Sequence, residues 1–446
     1  MINAGVLVQS LTKLTPSRPP GQAQITGGDP WPRIAPHCPA LPMSDKSGLW
    51  RITAPSLPES PDMTLSPAHR VFAGFAIYSF SMGNIFPRMP DVQQAMGVTE
   101  GQLGFGLIGS PVGTLIALTF FTPLLERIGF KLALIVAIPL LALLYAVAVH
   151  AQTPLELFLL LIPVGLTVGS IEIILNLEAD RTEHQLGYRI MNRSHAFWSI
   201  GFFSAGLFGA AMAQIGISPQ VHLALCVPIA IVAVALFLGG YVPSPHRPTT
   251  NTETAPRFAT PTVAIMILVA VTVSAMLLEG GSLDWSSIYM RDVFGATPFL
   301  QGFVVATFAF CQGATRYFAD GFVDRSSPAN VARTMLCVLL AGCLLVTFSP
   351  SMLLSLLGFG MMGMGSAVIF PLAMSAAAQR HDRASSTNVA ALAQISFTVF
   401  LLGPPLLGYI AEHFGIRTSF GIGLPFIALS LLTAGALGLR QVKRNA

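Results

Sequence analysis

From Val71 onward the chain is a succession of apolar segments of roughly 17–25 residues separated by short polar turns, the length a helix needs to cross the hydrocarbon core of a bilayer. Twelve are present, centred near Tyr78, Val112, Leu141, Pro163, Phe203 and Ala230, then near Val269, Phe308, Leu340, Gly363, Val399 and Leu429. The pattern predicts an all-α membrane protein with twelve transmembrane helices in two six-helix, pseudo-symmetric bundles, residues 67–242 and 261–446, the second ending in a short basic tail. Residues 243–260 between them are polar and rich in Pro and Thr, and are expected to form a linker. Residues 1–66 read differently, because Pro16, Pro19, Pro20, Pro30, Pro32, Pro36, Pro39, Pro42, Pro55, Pro58 and Pro61 break every periodic run. That stretch is expected to be disordered, and it lacks the unbroken apolar run of an export signal. Met43 and Met63 are alternative starts, and translation is expected to begin at one of them.

The two halves resemble each other. Gly97, Thr99, Gly104 and Phe105 recur 198 positions later as Gly295, Thr297, Gly302 and Phe303, and at the same offset Glu126-Arg127 returns as Asp324-Arg325. Gly209, Gly216 and Ile217 find counterparts, one residue further out of step, at Gly408, Gly415 and Ile416. Duplicated bundles are how many carriers build a central site. Thr99, with Gln102 three residues on, and Thr297, followed by Pro298, both read as helix starts, which makes the second and eighth helices equivalent elements.

Composition agrees with the pattern: 53% of residues are hydrophobic and only 10% are charged. The net charge of +4 is small, and no Lys/Arg-rich arm offers a nucleic-acid surface. The basic residues are nonetheless arranged. Arg127, Lys131, Arg181, Arg189, Arg193, Arg247, Arg257, Arg325, Arg333, Arg380, Arg383, Arg440, Lys443 and Arg444 fall on one side of the predicted bundle, against Arg88, Arg291 and Arg417 on the other. The positive-inside rule then predicts a multi-pass protein of the bacterial inner membrane with both termini and the linker cytoplasmic. Five scattered cysteines, without CxxC spacing, give no reason to expect disulfides or a metal cluster. The chain contains no Gly-x-Ser-x-Gly, Gly-Lys-Ser/Thr or His-Glu-x-x-His, so neither an enzyme nor a cofactor is expected, and without an ATP site the expectation is a gradient-driven carrier.

One stretch carries the chemistry, Pro163-Val-Gly-Leu-Thr-Val-Gly-Ser-Ile-Glu172-Ile-Ile-Leu-Asn176. An acid and an amide four residues apart share a helix face in a run otherwise fit for lipid. A carboxylate near a bilayer centre costs on the order of 2.5–3.5 kcal/mol, so it normally faces a bundle interior, a watery cavity or a partner. Glu172 is therefore the expected proton-coupling residue, and Asn176 a hydrogen-bonding group for the solute or for a neighbouring helix.

Leu124-Leu-Glu126-Arg127-Ile-Gly129-Phe-Lys131, after the second of twelve spans in two halves, resembles the loop motif of the major facilitator superfamily, Gly-x-Leu-Ala-Asp-Arg-x-Gly-Arg-Lys. Glu126 replaces the acid, Thr122 stands at the leading Gly, Phe130 stands where a base is expected, and the second copy, Asp324-Arg325-Ser326-Ser327, loses its Gly. In that family the loop locks one conformer, which implies gating roles for Glu126, Arg127, Asp324 and Arg325, with Arg181 or Arg189 as partners of Glu126; a solvated cluster that only sets topology is the plainer reading. Gly169-Ser-Ile-Glu172-Ile-Ile-Leu-Asn176, Met191-Asn-Arg-Ser194-His195-Ala-Phe-Trp198-Ser and Glu279-Gly-Gly-Ser-Leu-Asp284-Trp285-Ser resemble the branch of rhizopine (inositol-amine) permease-like bacterial inner-membrane proteins. The Glu-x-x-x-Asn pair is also similar to that of proton-linked fucose transporters, where the acid takes part in proton and sugar handling, a role the resemblance implies for Glu172.

The remaining candidates each have a structural alternative. Glu279, late in the seventh span, is expected to be a second proton-coupling residue, with Gly280-Gly281 loosening the helix beside it. Asp284 and Trp285 are expected at the substrate, Trp285 and Tyr289 serving equally as interfacial anchors. Tyr78, Ser81 and Asn84 recur at helical spacing on the first span and are expected to line the same cavity, or else to bond neighbouring helices, with Arg88 at the outer mouth. His195 and Trp198 read as substrate-binding and gating groups or as ordinary buried side chains. Arg316 is assigned to gating, an intrahelical pair with Asp320 being its simplest explanation. Pro404-Pro405 is expected to kink the eleventh helix. The expected function is proton-coupled transport of a small polar sugar-, polyol- or inositol-like solute by a monomer working through alternating access. An efflux antiporter of apolar compounds is the alternative from the same fold, although Gly201-Phe-Phe-Ser-Ala-Gly206-Leu-Phe-Gly209 lacks the proline its motif usually carries. A non-transporting sensor or assembly partner is the alternative from another class.

Overall fold

The computed structural model describes residues 65–188, 190–245, 259–380 and 382–438, apart from the side chains of Asp320, Phe322 and Asp324. The readings of the N-terminal tail, of most of the linker, of Arg189 and of the side chains of Asp320 and Asp324 lie outside these residues.

Among the described residues ten helices are long and apolar enough to cross a membrane: α2 Glu100–Phe120, α3 Phe130–Ala148, α4 Pro154–Leu186, α5 Met191–Gln214, α6 Pro219–Leu238, α7 Val263–Phe294, α9 Pro328–Phe348, α10 Met352–Ala378, α11 Ser385–Phe414 and α12 Ile416–Leu437. Two more complete the twelve. Helix α1, Pro67–Gly83, has 17 residues and is carried on by a 3-10 turn, Phe86–Arg88, and a short helix, Met89–Met96. Helix α8, Pro298–Arg325, has 28 residues, with Gln301, Gln312, Arg316 and Arg325 among them.

Local chemistry sets the ends. Ser66 accepts a hydrogen bond from the His69 N–H ahead of Pro67, and Thr99 forms a complete capping box with Gln102. At the corresponding start of α8 the Thr297 hydroxyl makes no capping bond. Gly97 and Gly295 end the helices before these caps with φ of 66° and 56°, a left-handed turn that glycine adopts without a Cβ clash. Helix α4 runs for 33 residues, about 50 Å at 1.5 Å per residue, so its Glu178–Arg181 end stands beyond a core about 30 Å thick. Helix α7 is continuous through Gly280-Gly281. Those glycines do not loosen it: they make room for Phe400 and Leu407 of α11, whose ring and methyl carbons would stand 3.1 and 2.6 Å from added Cβ atoms. Helix α11 likewise runs unbroken through Pro404-Pro405.

The halves meet chiefly through α5 against α8 and α2 against α11. Three of the repeated glycines lie at these seams. A Cβ on Gly104 would stand 2.6 Å from the Pro404 carbonyl oxygen of α11, and one on its repeat mate Gly302 would stand 2.8 Å from the Ala210 Cβ of α5. Gly408 admits the Glu100 carbonyl in the same way, at 2.5 Å. Helices in lipid associate through close packing of small residues, so Gly104, Gly302 and Gly408 mark where the halves dock.

Candidate functional site

Glu172 is flanked on α4 by Ile171 and Ile173, both buried, and is itself only half-buried. It is tied to α1. The Tyr78 hydroxyl donates to Glu172 Oε1 at 3.0 Å, and Asn176 Nδ2 donates to Oε2 at 2.9 Å and to the Glu172 carbonyl at 2.9 Å. The helical spacing of acid and amide makes the second pair, and the α1–α4 packing supplies the first. Trp198 of α5 stacks on Phe202 with centroids 5.0 Å apart; its buried indole N–H approaches the Tyr78 hydroxyl without hydrogen-bond geometry and has no other partner. His195, one turn earlier, is half-buried and tilts against Phe75 at 5.2 Å.

The second half contributes a charged pair. Arg316 Nη2 of α8 lies 3.4 Å from Glu279 Oε1 of α7, and its Nε donates to the Ala367 carbonyl at 3.1 Å. Both side chains remain about one-fifth exposed, 20% and 19%, in mid-helix. Arg316 is close enough for its charge to act on Glu172 and His195 across the divide. The structure thus gathers Glu172, Asn176, Tyr78, His195, Trp198, Glu279 and Arg316 around the seam between the halves. Asp284, one turn and a half beyond Glu279, is half-buried and makes no hydrogen bond or ion pair among the described residues. Tyr145 of α3, a buried lone tyrosine in an apolar run, feels its charge; sequence reasoning passed this residue over.

Other candidates go elsewhere. Ser81 is buried and donates back to the Ile77 carbonyl at 2.9 Å. Asn84 is fully buried, donating to Phe80 and bonding His222 Nε2 of α6 at 3.0 Å, so these two take the helix-bonding alternative. Arg88 is 2% exposed and held by Asp91 at 2.8 Å and the Ile217 carbonyl at 2.8 Å, which places it inside the packing instead of at an open mouth. Trp285 is fully buried against Gly408 of α11, and the buried Tyr289 hydroxyl donates to the Val346 carbonyl at 2.5 Å, so neither ring is an interfacial anchor.

At the basic-loop end, Glu126 and Arg127 are exposed and form no ion pair among the described residues. The expected partnership with Arg181 is replaced by a different one. Arg181 pairs with Glu178 at 3.2 Å and lies over the Phe130 ring at 4.6 Å. Phe130 holds the place where the loop motif carries a base, and a guanidinium over an aromatic face is a favourable substitute. Glu178 also accepts from the Ser244 N–H at 3.0 Å, which fastens the chain leaving α6 onto α4.

The opposite end is closed by polar contacts between the halves. Arg291 of α7 donates to the Pro90 carbonyl at 3.1 Å and to Gln93 Oε1 at 2.7 Å, and Gln93 donates to Glu100 at 3.1 Å. Glu412, ending α11, accepts from the Thr99 hydroxyl at 3.0 Å and the Gly101 N–H at 3.2 Å, and Gln214, ending α5, accepts from the Phe299 N–H at 3.0 Å. Sequence reasoning missed Gln93, Gln214 and Glu412, although the repeat offset of 198 pairs Gln93 with Arg291.

Comparison with known proteins agrees with this architecture. The family model described as Major Facilitator Superfamily matches residues 71–286 and 267–445. An uncharacterised transporter of Sinorhizobium fredii, y4wD, is 28% identical over 376 residues, covering 84% of this chain and 98% of the relative. Membrane protein MosC of Rhizobium meliloti is 24% identical over 356 residues, covering 78% and 84%. Among solved structures, the nucleoside transporter NupG superposes with a TM-score of 0.59 at 14% identity, covering 83% of this chain and 97% of that one. The E. coli fucose:proton symporter FucP gives 0.55 at 15% identity, covering 83% and 98%. At such identities these structures speak to the fold alone.

Proposed function

Because the chain belongs to the Major Facilitator Superfamily and is a secondary transporter by that membership, we propose that it moves a small polar sugar-, polyol- or inositol-like solute across the bacterial inner membrane in exchange with, or together with, protons. The carrying observation is Glu172, an acid inside the membrane span, held by the neutral donors Tyr78 and Asn176 and facing the charge of Arg316 across the seam. An acid so placed can take or release a proton without leaving a fixed cation unpaired, while Asn176, Asp284 and Trp198 offer hydrogen-bonding atoms to a hydroxylated solute. Glu279, tied to Arg316, carries charge that a rearrangement of the halves would free. In this reading the described conformer is closed at the face away from the basic loops, access runs to the cytoplasmic face that bears them, and one chain acts alone. His195 would sense the cavity's contents from α5, and Arg127, Asp324 and Arg325 would belong to the loops that close the cytoplasmic face.

The test is uptake into proteoliposomes of labelled fucose, myo-inositol and uridine under an imposed inward proton gradient. Gradient-dependent uptake of at least one is expected, and Glu172→Gln should abolish the gradient-dependent part. Failure of all three to move would remove the polar-solute reading, and undiminished gradient-driven uptake by Glu172→Gln would remove the role of Glu172.

A further inference from the structure

The polar contacts that seal the face opposite the basic loops obey the internal repeat. Gly101 and Phe299 are related by the offset of 198 that relates Thr99 to Thr297, and each is the second residue of its helix. Each gives its backbone N–H to a side chain ending a helix of the other half: Gly101 to Glu412 of α11 at 3.2 Å, Phe299 to Gln214 of α5 at 3.0 Å. Gln214 and Glu412 stand in the last turns of α5 and α11, two and three residues ahead of the paired glycines Gly216 and Gly415, so they are one residue apart in the local register of 199 and yet reach equivalent N–H groups. Gln93 and Arg291 share that offset and meet each other at 2.7 Å, as equivalent positions must when they straddle a twofold axis.

From this we infer that Gln214 and Glu412 are paired positioning residues of the transport cycle, two latches on repeat-related helix starts that hold this face shut and must both release for the solute to exchange there. The first N–H groups of a helix have no partner within it, so a side-chain oxygen from the opposite half satisfies a donor that opening would return to water. The backbone is shaped for the contact. Thr297 makes no capping bond, and the Phe299 N–H goes to Gln214. At the other latch Thr99 caps α2 yet also donates its hydroxyl to Glu412, and an added Cβ at Gly101 would collide with the Glu412 carboxylate. The two latches differ in charge. Glu412 places a carboxylate at the positive end of α2, whereas Gln214 places a neutral amide at the positive end of α8, so the α2–α11 latch is the stronger.

The inference rests on the chain cycling between states open at either face, and not on the identity of the solute or on the role of Glu172. The experiment reads conformation alone: pulsed electron-spin distances in the reconstituted full chain between labels at Gln152→Cys and Leu353→Cys, on the sealed face of either half, with the native cysteines replaced. Glu412→Ala should raise the ratio of opened to closed molecules about fivefold and Gln214→Ala about twofold, both contacts being partly exposed to solvent. Glu412→Gln, which keeps an acceptor, should fall between wild type and Glu412→Ala, and Gln214→Glu should shift the ratio towards closed. Gly101→Ala, which displaces the carboxylate without altering it, should mimic Glu412→Ala. An unchanged distance distribution in both alanine variants overturns the proposal, as does a response to Glu412→Ala with none to Gln214→Ala or Gln214→Glu, which would leave a single contact and no pair.

Discussion

Glu172 and Glu279 are acids within long apolar helices of the two halves, and the protein holds them by different chemistry. Glu172 receives hydrogen bonds from an uncharged phenol and an uncharged amide, at 3.0 and 2.9 Å. Glu279 faces a guanidinium at 3.4 Å. Neutral donors tolerate a change in the acid's charge, because a protonated carboxyl can still accept from them. An ion pair does not, since neutralising one partner leaves the other stranded in a medium of low dielectric. The first half therefore carries an acid that can change state alone, and the second an acid whose state is bound to that of Arg316. With Arg316 acting on Glu172 as well, the two sites share one cation between them.

The sharpest way to break this comparison is to remove the shared cation. Arg316→Ala should cost about 2–3 kcal/mol, below the 3–5 kcal/mol typical of a fully buried pair because both partners remain one-fifth exposed. Thermal unfolding of the detergent-solubilised protein reads it. Adding Glu279→Gln should return part of the loss; if the double variant is no more stable than Arg316→Ala, the pair is not the reason for the cost. A smaller effect belongs to the first half. Tyr78→Phe removes one donor from Glu172 and leaves Asn176 in place, so a loss of about 1 kcal/mol is expected in the same measurement. A loss equal to that of Arg316→Ala would mean that Glu172 depends on the phenol as Glu279 depends on its cation, and the distinction between the halves would fall.

Hydrophobic periodicity made the architecture legible, because in lipid each backbone must satisfy its own hydrogen bonds and only a long apolar helix can do so. All twelve expected span centres, from Tyr78 to Leu429, fall within the twelve helices. The Glu172–Asn176 contact was legible for the same reason, since a spacing of four on a helix is a geometry as much as a pattern. What could not be read were contacts that depend on which helices become neighbours. Glu279 and Arg316 sit on different helices, so the local prospect of Asp320 obscured the pair. Asn84 and His222 stand 138 positions apart, and their bond follows from α1 packing against α6. The expected break at Gly280-Gly281 failed for a related reason: glycine in lipid serves close approach as readily as bending, and the ring of Phe400 decided which. The latches occupy a middle ground: the offset of 198 relates the helix starts they hold, Gly101 and Phe299, but the offset of 199 near the ends of α5 and α11 does not relate Gln214 to Glu412.

The smallest effect sharpens the comparison from outside the bilayer, where an acid is held by both kinds of partner at once. Asp382, in the exposed turn between α10 and α11, accepts from Asn388 Nδ2 at 2.8 Å and lies 3.4 Å from Arg380 Nε. A slight burial pushes its carboxyl upward, but the Asn388 hydrogen bond and the Arg380 charge outweigh it and hold the carboxyl below its ordinary value. A carboxyl depressed in the folded state contributes stability that is present above the unfolded value of about 4 and is lost as pH falls through the folded one. Asp382→Asn should therefore speed amide hydrogen exchange over residues 382–388 at pH 7, with the difference from wild type disappearing below about pH 4. Arg380→Ala should produce a weaker version of the same change, because an ion pair this exposed is largely screened while the Asn388 bond remains. If the arginine variant had the larger effect, charge would outrank the neutral donor even in water, and the case for Glu172 as the more freely exchanging acid would weaken with it.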